Sequence, residues 1–280
     1  MLNINTNYAS AFASNAAKTS SRNLESAMEK LSSGSRINYA KDDAAGQAIS
    51  TRLSAEIQGL QMASRNAADA QSLLDTAEGA MQETSSVLLR MRELAVQSSN
   101  GTLTDVDRGH LDAEFTQLKA EINRISDNTT FAGQELLDGT YDSVDFQVGA
   151  GAGETITVSI ADIDTAGIGT VATGNADLEA STVDTASDAQ NAIASIDQAI
   201  QDVATARGSL GAVSNRLGST MSNLDQIAVN LTASQGRVQD ADFAQETGNL
   251  ARNQILQQAA TAMVAQANAS KSTILALVRG

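Results

Sequence analysis

The sequence predicts a mainly α, two-domain protein: a long antiparallel helical bundle or coiled coil with a small β-hairpin region. Three observations predict it. There is no proline among 280 residues, apolar residues recur every seven positions over long stretches, and one glycine-punctuated interval alternates instead. Ordinary usage of ~5% would place about 14 prolines in such a chain. Proline in a helix interior removes a hydrogen bond and clashes with the preceding turn, so its absence suits long uninterrupted helices.

The first long element is carried by Leu53, Leu60, Ala67, Leu74, Met81, Leu88 and Ala95, spaced by seven, with Ala63, Ala70, Ala77 and Met91 between them. This is a coiled-coil seam. A helix from about Ala44 to Ser99 would run roughly 85 Å at ~1.5 Å per residue, and Asn100-Gly101 supplies its stop. A second helix starts at Thr104, whose side chain can cap while Asp107 occupies the third helical position. Leu111, Phe115, Leu118, Ile122 and Ile125 then mark the face that folds back antiparallel on the first. In the last of the three, Ile193, Ile196, Ile200, Val203, Leu210, Leu217, Met221, Leu224, Ala228 and Leu231 keep the same spacing, interrupted by Arg207 and Ser214.

Between these seams Val144, Phe146 and Val148 alternate, Gly149 to Gly153 punctuate, and Ile156, Val158 and Ile160 alternate again, which predicts β-hairpins at about 139–163. Residues 166–187, rich in Gly, Thr, Ala and Asp, read as a short exposed connection too small for its own core. The two ends carry weaker stripes: Ile4, Tyr8, Phe12, Leu24, Met28 and Leu31 at one, and Leu256, Ala260, Met263, Ala267, Ile274 and Leu277 at the other, the latter widened by Ile255, Val264, Leu275 and Val278. Each is too narrow to stand alone. Pairing with each other, and then with copies on neighbouring chains, would bury both faces, so self-assembly is expected.

The chemistry that the composition excludes is equally informative. With no Cys and a single His110, soft metal sites, thiol catalysis, disulfide frameworks and Ser-His-Asp triads have no material, and neither cofactor, metal nor catalytic residue is expected. The net charge of -15 argues against nucleic acid as a partner, because phosphate binding needs a basic surface. Residues 138–188 hold acids but no Lys or Arg, whereas the first 41 residues hold Lys18, Arg22, Lys30, Arg36 and Lys41 against Glu25 and Glu29 and the last 43 balance three acids with three bases, so the ends are suited to packing together. No stretch approaches the ~20 apolar residues that span a bilayer, and the N-terminus lacks a basic start followed by an apolar run, so neither membrane insertion nor a cleavable signal is expected. GAGAGE at 149–154 lacks the last glycine and the following helix of a phosphate loop and reads as a hairpin turn. The calcium-loop-like stretches at 105–114 and 162–167 have Gly109 and Ala166 in place of the third ligand, and read as a helix start and a solvated turn.

Six segments then carry a specific resemblance. NLESAMEKLSSGSRINYAKDDAAGQAIS (23–50), RNAADAQSLLDTAEGAMQE (65–83), MRELAVQSSNGT (91–102), INRISDNTTFAGQELLDG (122–139), RGSLGAVSNRL (207–217) and NQILQQAATAMVAQAN (253–268) resemble bacterial flagellin, the filament subunit of the flagellum, over nearly the whole chain. The large outer domains of longer members are missing.

The resemblance implies an inner coiled-coil domain of residues 1–43 and 239–280, including spokes near Gly34 to Asp43 and Gln239 to Phe243. Residues 44–238 would form an outer helical bundle with the hairpins. Ile4, Leu24, Met28, Leu31, Leu256, Met263, Ala267, Ile274 and Leu277 are the expected core assembly residues. The implied function is a self-assembling, secreted subunit of the extracellular flagellar filament, serving motility; the alternative is a hook–filament junction protein, which shares similar terminal helices. Implied partners are other copies of the chain, the flagellar export apparatus, an export chaperone, and the filament cap and hook-junction proteins. Some family members are recognised by a Toll-like receptor, and the matching positions here are Arg90, Leu94 and Glu114.

Overall fold

The computed structural model describes residues 6–170 and 177–279, with side chains as far as Lys271. Its elements are helices α1 (Tyr8–Ser33), α2 (Ala44–Ser98), α3 (Asp105–Asn128), α4 (Ala186–Gln239) and α5 (Phe243–Arg279), with strands β1 (Thr130–Phe131), β2 (Gln134–Glu135), β3 (Val144–Gln147) and β4 (Thr155–Val158) between α3 and α4. The fold is mainly α, as the heptads require. It divides into two compact units, Met1–Ile57 with Val229–Gly280, and Gln58–Ala228.

Every helix begins on a side-chain oxygen. Asn7 accepts from the Ser10 amide ahead of α1, Asp43 from Gly46 ahead of α2, and Asp242 from Ala244 and Gln245 ahead of α5. Thr185 accepts from the Asp188 amide at the start of α4. At α3 the expected cap is a complete capping box, with Thr104 and Asp107 each bonded to the other's backbone amide. The first amides of a helix have no partner within it, and these oxygens supply one. Hydrogen bonding to Thr104 lowers the pKa of Asp107 below its ordinary value.

In the unit Gln58–Ala228 the heptad residues form the core. From α2, Leu60, Ala67, Leu74, Met81, Leu88 and Ala95 are buried, as are Ala63, Ala70, Ala77 and Met91. From Ala67 onward they meet Phe115 and Ile122 of α3 and Ile196, Val203, Leu210 and Leu217 of α4 in one cluster. Arg207, which interrupts the α4 pattern, reaches Glu78 of α2 at 3.5 Å.

The hairpin lies where the alternation places it: β3 and β4 pair antiparallel, with Phe146 opposite Ile156 and Val144 opposite Val158. GAGAGE is its turn. The Glu154 carboxylate accepts from the Gly151 amide, and Gln147 donates to the carbonyls of Gly149 and Gly151. Gly59 makes room for this turn on α2, since a Cβ there would stand 3.0 Å from that of Ala150. A second two-stranded ribbon, β1 with β2, was not expected from the sequence; two-residue strands are too short to show alternation.

The stretch 166–187 departs from its expected exposure. Residues 171–176 lie outside the described residues, but on either side of them Ile168, Leu178, Ser181 and Val183 are buried. Four side chains of the bundle hold the backbone down. Asp202 accepts from the Gly169 amide, Asp112 accepts from Val183 N and Ser98 donates to Val183 O, and Lys119 donates to the carbonyls of Glu179 and Ser181 at 3.0 and 2.8 Å. Partial burial pulls the Lys119 ammonium below its ordinary pKa. Small and polar composition signals exposure only when the backbone lacks such partners.

The unit Met1–Ile57 with Val229–Gly280 is tied by its connectors. Ser35 and Asp240 form an antiparallel bridge, Arg36 N donates to Gln239 O at 2.7 Å and Ala241 N to Gly34 O at 3.0 Å. Ser50 donates to the Gln239 side chain, and Gln235 donates to Ser54. Ile37 is buried beside Gly46, where any Cβ would fall 2.6 Å from the Ile37 Cδ1.

Candidate assembly surface

Helices α1 and α5 pair antiparallel. Asn7 donates to Ala267 O at 3.1 Å near the α1 N-terminus, and Lys30 meets Glu246 at 3.7 Å near its C-terminus. The fully buried positions between them are small. On α1 they are Ala13, Ser20 and Ala27, seven apart; on α5 Ala260 is buried, and with it Glu246, Asn249, Asn253, Gln257, Val264 and Ala267, all half-buried, follow at steps of three or four. Small side chains let two helix backbones approach closely, at the expense of apolar area.

Several large apolar groups consequently stay exposed. Tyr8, Phe12 and Met28 of α1 are exposed, as are Ile255 at 66%, Leu256 at 48% and Met263 at 62% on α5. Of the expected assembly residues, Leu24, Leu31 and Ala267 are half-buried along the pair, while Met28, Leu256 and Met263 point outward. Ile4 lies outside the described residues, and for Ile274 and Leu277 only their place in α5 is described. The sequence reading included Ala260, Val264 and Ala267 of α5 but on α1 followed the large side chains and passed over its side of the seam. Its signal was present in the seven-residue spacing of Ala13, Ser20 and Ala27.

On the other unit Arg90 binds Glu114 of α3 through two nitrogens at 2.9 and 3.0 Å and reaches Glu93 at 2.9 Å. Hydrogen bonding to Glu114, then to Glu93, raises the guanidinium pKa further above its ordinary value. Leu89 beside it is exposed. Leu94, expected on this surface, is corrected to the core: it is 1% exposed, because it lies on the face of α2 that also buries Met91 and Ala95. Arg90 and Glu114 are thus brought together and Leu94 is not available beside them.

Among the described residues no group of three or more His, Asp or Glu is placed to hold a metal ion, and no helix is long and apolar enough to cross a membrane.

The pattern of the bacterial flagellin N-terminal helical region matches residues 4–142, and that of the bacterial flagellin C-terminal helical region matches residues 193–278. The chain belongs to the flagellin family. It is 48% identical to a flagellin of Halalkalibacterium halodurans over 255 residues, covering 91% of this chain and 92% of that one. It is 44% identical to a flagellin of Bacillus subtilis over 281 residues, covering 90% and 91%. With flagellin A of Vibrio cholerae the identity is 33% over 377 aligned residues, covering 99% of this chain and all of the relative. That alignment exceeds this chain's 280 residues, so the Vibrio flagellin carries insertions that this one lacks. The two flagellin family regions are also the helical parts: the first spans α1, α2 and α3, and the second nearly all of α4 and α5.

Proposed function

We propose that this flagellin is the structural subunit of a bacterial flagellar filament, built by self-assembly outside the cell, and that the outward face of the α1–α5 pair is covered by neighbouring copies. The observation that carries the reading is the exposure of Phe12, Met28, Ile255, Leu256 and Met263 on that pair, while its buried positions, Ala13, Ser20, Ala27 and Ala260, are small. A helix pair left in that state keeps its best burial for a partner. Repeated head-to-tail contacts that do not close into a ring generate a helical filament. Leu24, Met28, Leu31, Leu256, Met263 and Ala267, with Ile4, Ile274 and Leu277, are the proposed assembly residues.

The test is electron cryomicroscopy of purified protein seeded onto filament fragments. Full-length protein is expected to extend the seeds as a helical tube with α1 and α5 ordered in its interior. A version lacking residues 245–280 is expected to stay soluble and folded but not to polymerise. Full-length protein that remains monomeric or forms closed rings overturns the reading in favour of a junction component. Before assembly, the same apolar face suits an export chaperone and passage through the flagellar export apparatus, and the finished filament would meet cap and hook-junction proteins at its ends.

A second reading concerns Arg90 and Glu114, which we propose as a surface for a Toll-like receptor, with exposed Leu89 beside them. The Arg90 guanidinium is fixed by two carboxylates, so it presents a preorganised polar anchor. Monomer is expected to activate a receptor-dependent reporter, and Arg90→Ala to weaken the response. No response to intact monomer removes this proposal.

A further inference from the structure

We propose that Met28 and Met263 are oxidant-sensitive modification sites: conversion of their thioethers to sulfoxides in the free subunit blocks assembly, and assembly shields them from oxidation. The inference rests on the reading that neighbouring copies cover the outward face of the α1–α5 pair.

The chain has seven methionines and no cysteine, so its sulfur chemistry belongs to methionine alone. The structure sorts them by access. Met81 and Met91 are wholly buried in the bundle core, whereas Met28 at 45%, Met62 at 48% and Met263 at 62% are open to solvent. Two of these three lie on the paired helices, Met28 on α1 and Met263 on α5, which also expose Phe12, Ile255 and Leu256.

A hydroperoxide, the oxidant class in question, reacts at such an exposed sulfur. The thioether lone pair attacks the peroxide oxygen, an S–O bond forms as the O–O bond breaks, and with hydrogen peroxide the leaving hydroxide takes up the transferred proton as water. Sulfur is oxidised by two electrons and the peroxide is reduced by two. The product carries a strong, chiral S=O dipole on what was a flexible apolar side chain. In the free subunit that oxygen is hydrated at no penalty. Under a neighbouring copy it must lose its water, and the other large side chains exposed on this helix pair, Phe12, Ile255 and Leu256 among them, carry no donor to offer in exchange. The modification is therefore silent in the monomer and opposed to polymerisation.

The experiment uses the full chain. Subunit treated with hydrogen peroxide is expected to carry sulfoxide at Met28, Met62 and Met263, with Met81 and Met91 unmodified by peptide mass spectrometry. In seeded polymerisation, the free subunit remaining at steady state should rise at least roughly tenfold. Methionine sulfoxide reductases of both epimer specificities should restore assembly. The double variant Met28→Leu/Met263→Leu, treated identically, should polymerise like untreated protein although Met62 is oxidised, and Met62→Leu should remain sensitive. Filaments oxidised after assembly should keep Met28 and Met263 unmodified. If untreated protein polymerises and oxidised protein does so equally, or if the double variant loses as much as the wild type, this inference falls and the subunit reading stands. Untreated protein that fails to extend seeds overturns both.

Discussion

Replacing Ile255 and Leu256 together by glutamine raises the concentration of free subunit at which seeded filaments stop growing by about a hundredfold, while the monomer's helix content is unchanged. Both residues are exposed on α5, Ile255 at 66% and Leu256 at 48%, and neither belongs to the buried core. Glutamine is nearly as good a helix former as leucine, so α5 keeps its propensity. What is lost is apolar area still to be buried. A fully buried aliphatic side chain is worth about 1.5–3 kcal/mol; as each of these is already part covered, the pair forgoes roughly 3 kcal/mol per subunit on assembly. Sedimentation of filaments from a dilution series, with circular dichroism of the monomer, checks the prediction. An unchanged critical concentration would mean that this face looks into solvent or a channel rather than onto a neighbour.

Gly169→Ala unfolds the bundle unit at a lower temperature, with a loss of about 3 kcal/mol. Two independent causes add. Gly169 has φ +77°, a left-handed conformation that costs any residue with a Cβ about 1–2 kcal/mol. The new Cβ would also lie 2.8 Å from the Ser195 carbonyl oxygen and 3.1 Å from the Leu178 Cβ; overpacking of this kind costs typically 1–3 kcal/mol. The backbone cannot simply back away, because the Gly169 amide is held by Asp202. Urea unfolding followed by circular dichroism measures the loss. Gly153→Ala offers the comparison: its φ of +82° is equally left-handed, but nothing stands within 4 Å of its missing Cβ. It should show only the conformational part.

These two sites also mark what was and was not legible in the sequence. Along α2 the heptad from Leu60 to Ala95 is written in residues whose size and polarity both point inward, so pattern and packing agree. The same agreement located the capping box at Thr104 and the hairpin around Gly149 to Gly153. It failed around Gly169, whose amide bonds to Asp202, and at 179–183, whose backbone bonds to Lys119, Asp112 and Ser98, residues distant in the chain and unremarkable one at a time. It failed in another way at Leu94, whose resemblance to a surface position could not show that helix α2 turns it inward. On the α1–α5 pair the large residues were found but assigned only to a stripe. That Phe12, Met28, Leu256 and Met263 of this stripe stay exposed goes with Ala13, Ser20 and Ala27 claiming the seam, and small residues carry little weight in a reading led by hydrophobicity.

Helices α2 and α4 each belong to both compact units, since the division falls at Ile57 and Ala228 within them. This has a kinetic consequence. Starting a helix is its slow, unfavourable step, because several residues must be ordered before the first hydrogen bond is gained; extending one that exists adds a bond for each residue fixed. Once the bundle has formed its portions of α2 and α4, residues 44–57 and 229–239 can grow outward as extensions with no new start. The connectors that clasp at Ser35 and Asp240 then meet on a ready-made support. Only α1 and α5 must begin afresh, and each carries its own side-chain cap, Asn7 and Asp242, from which to do so.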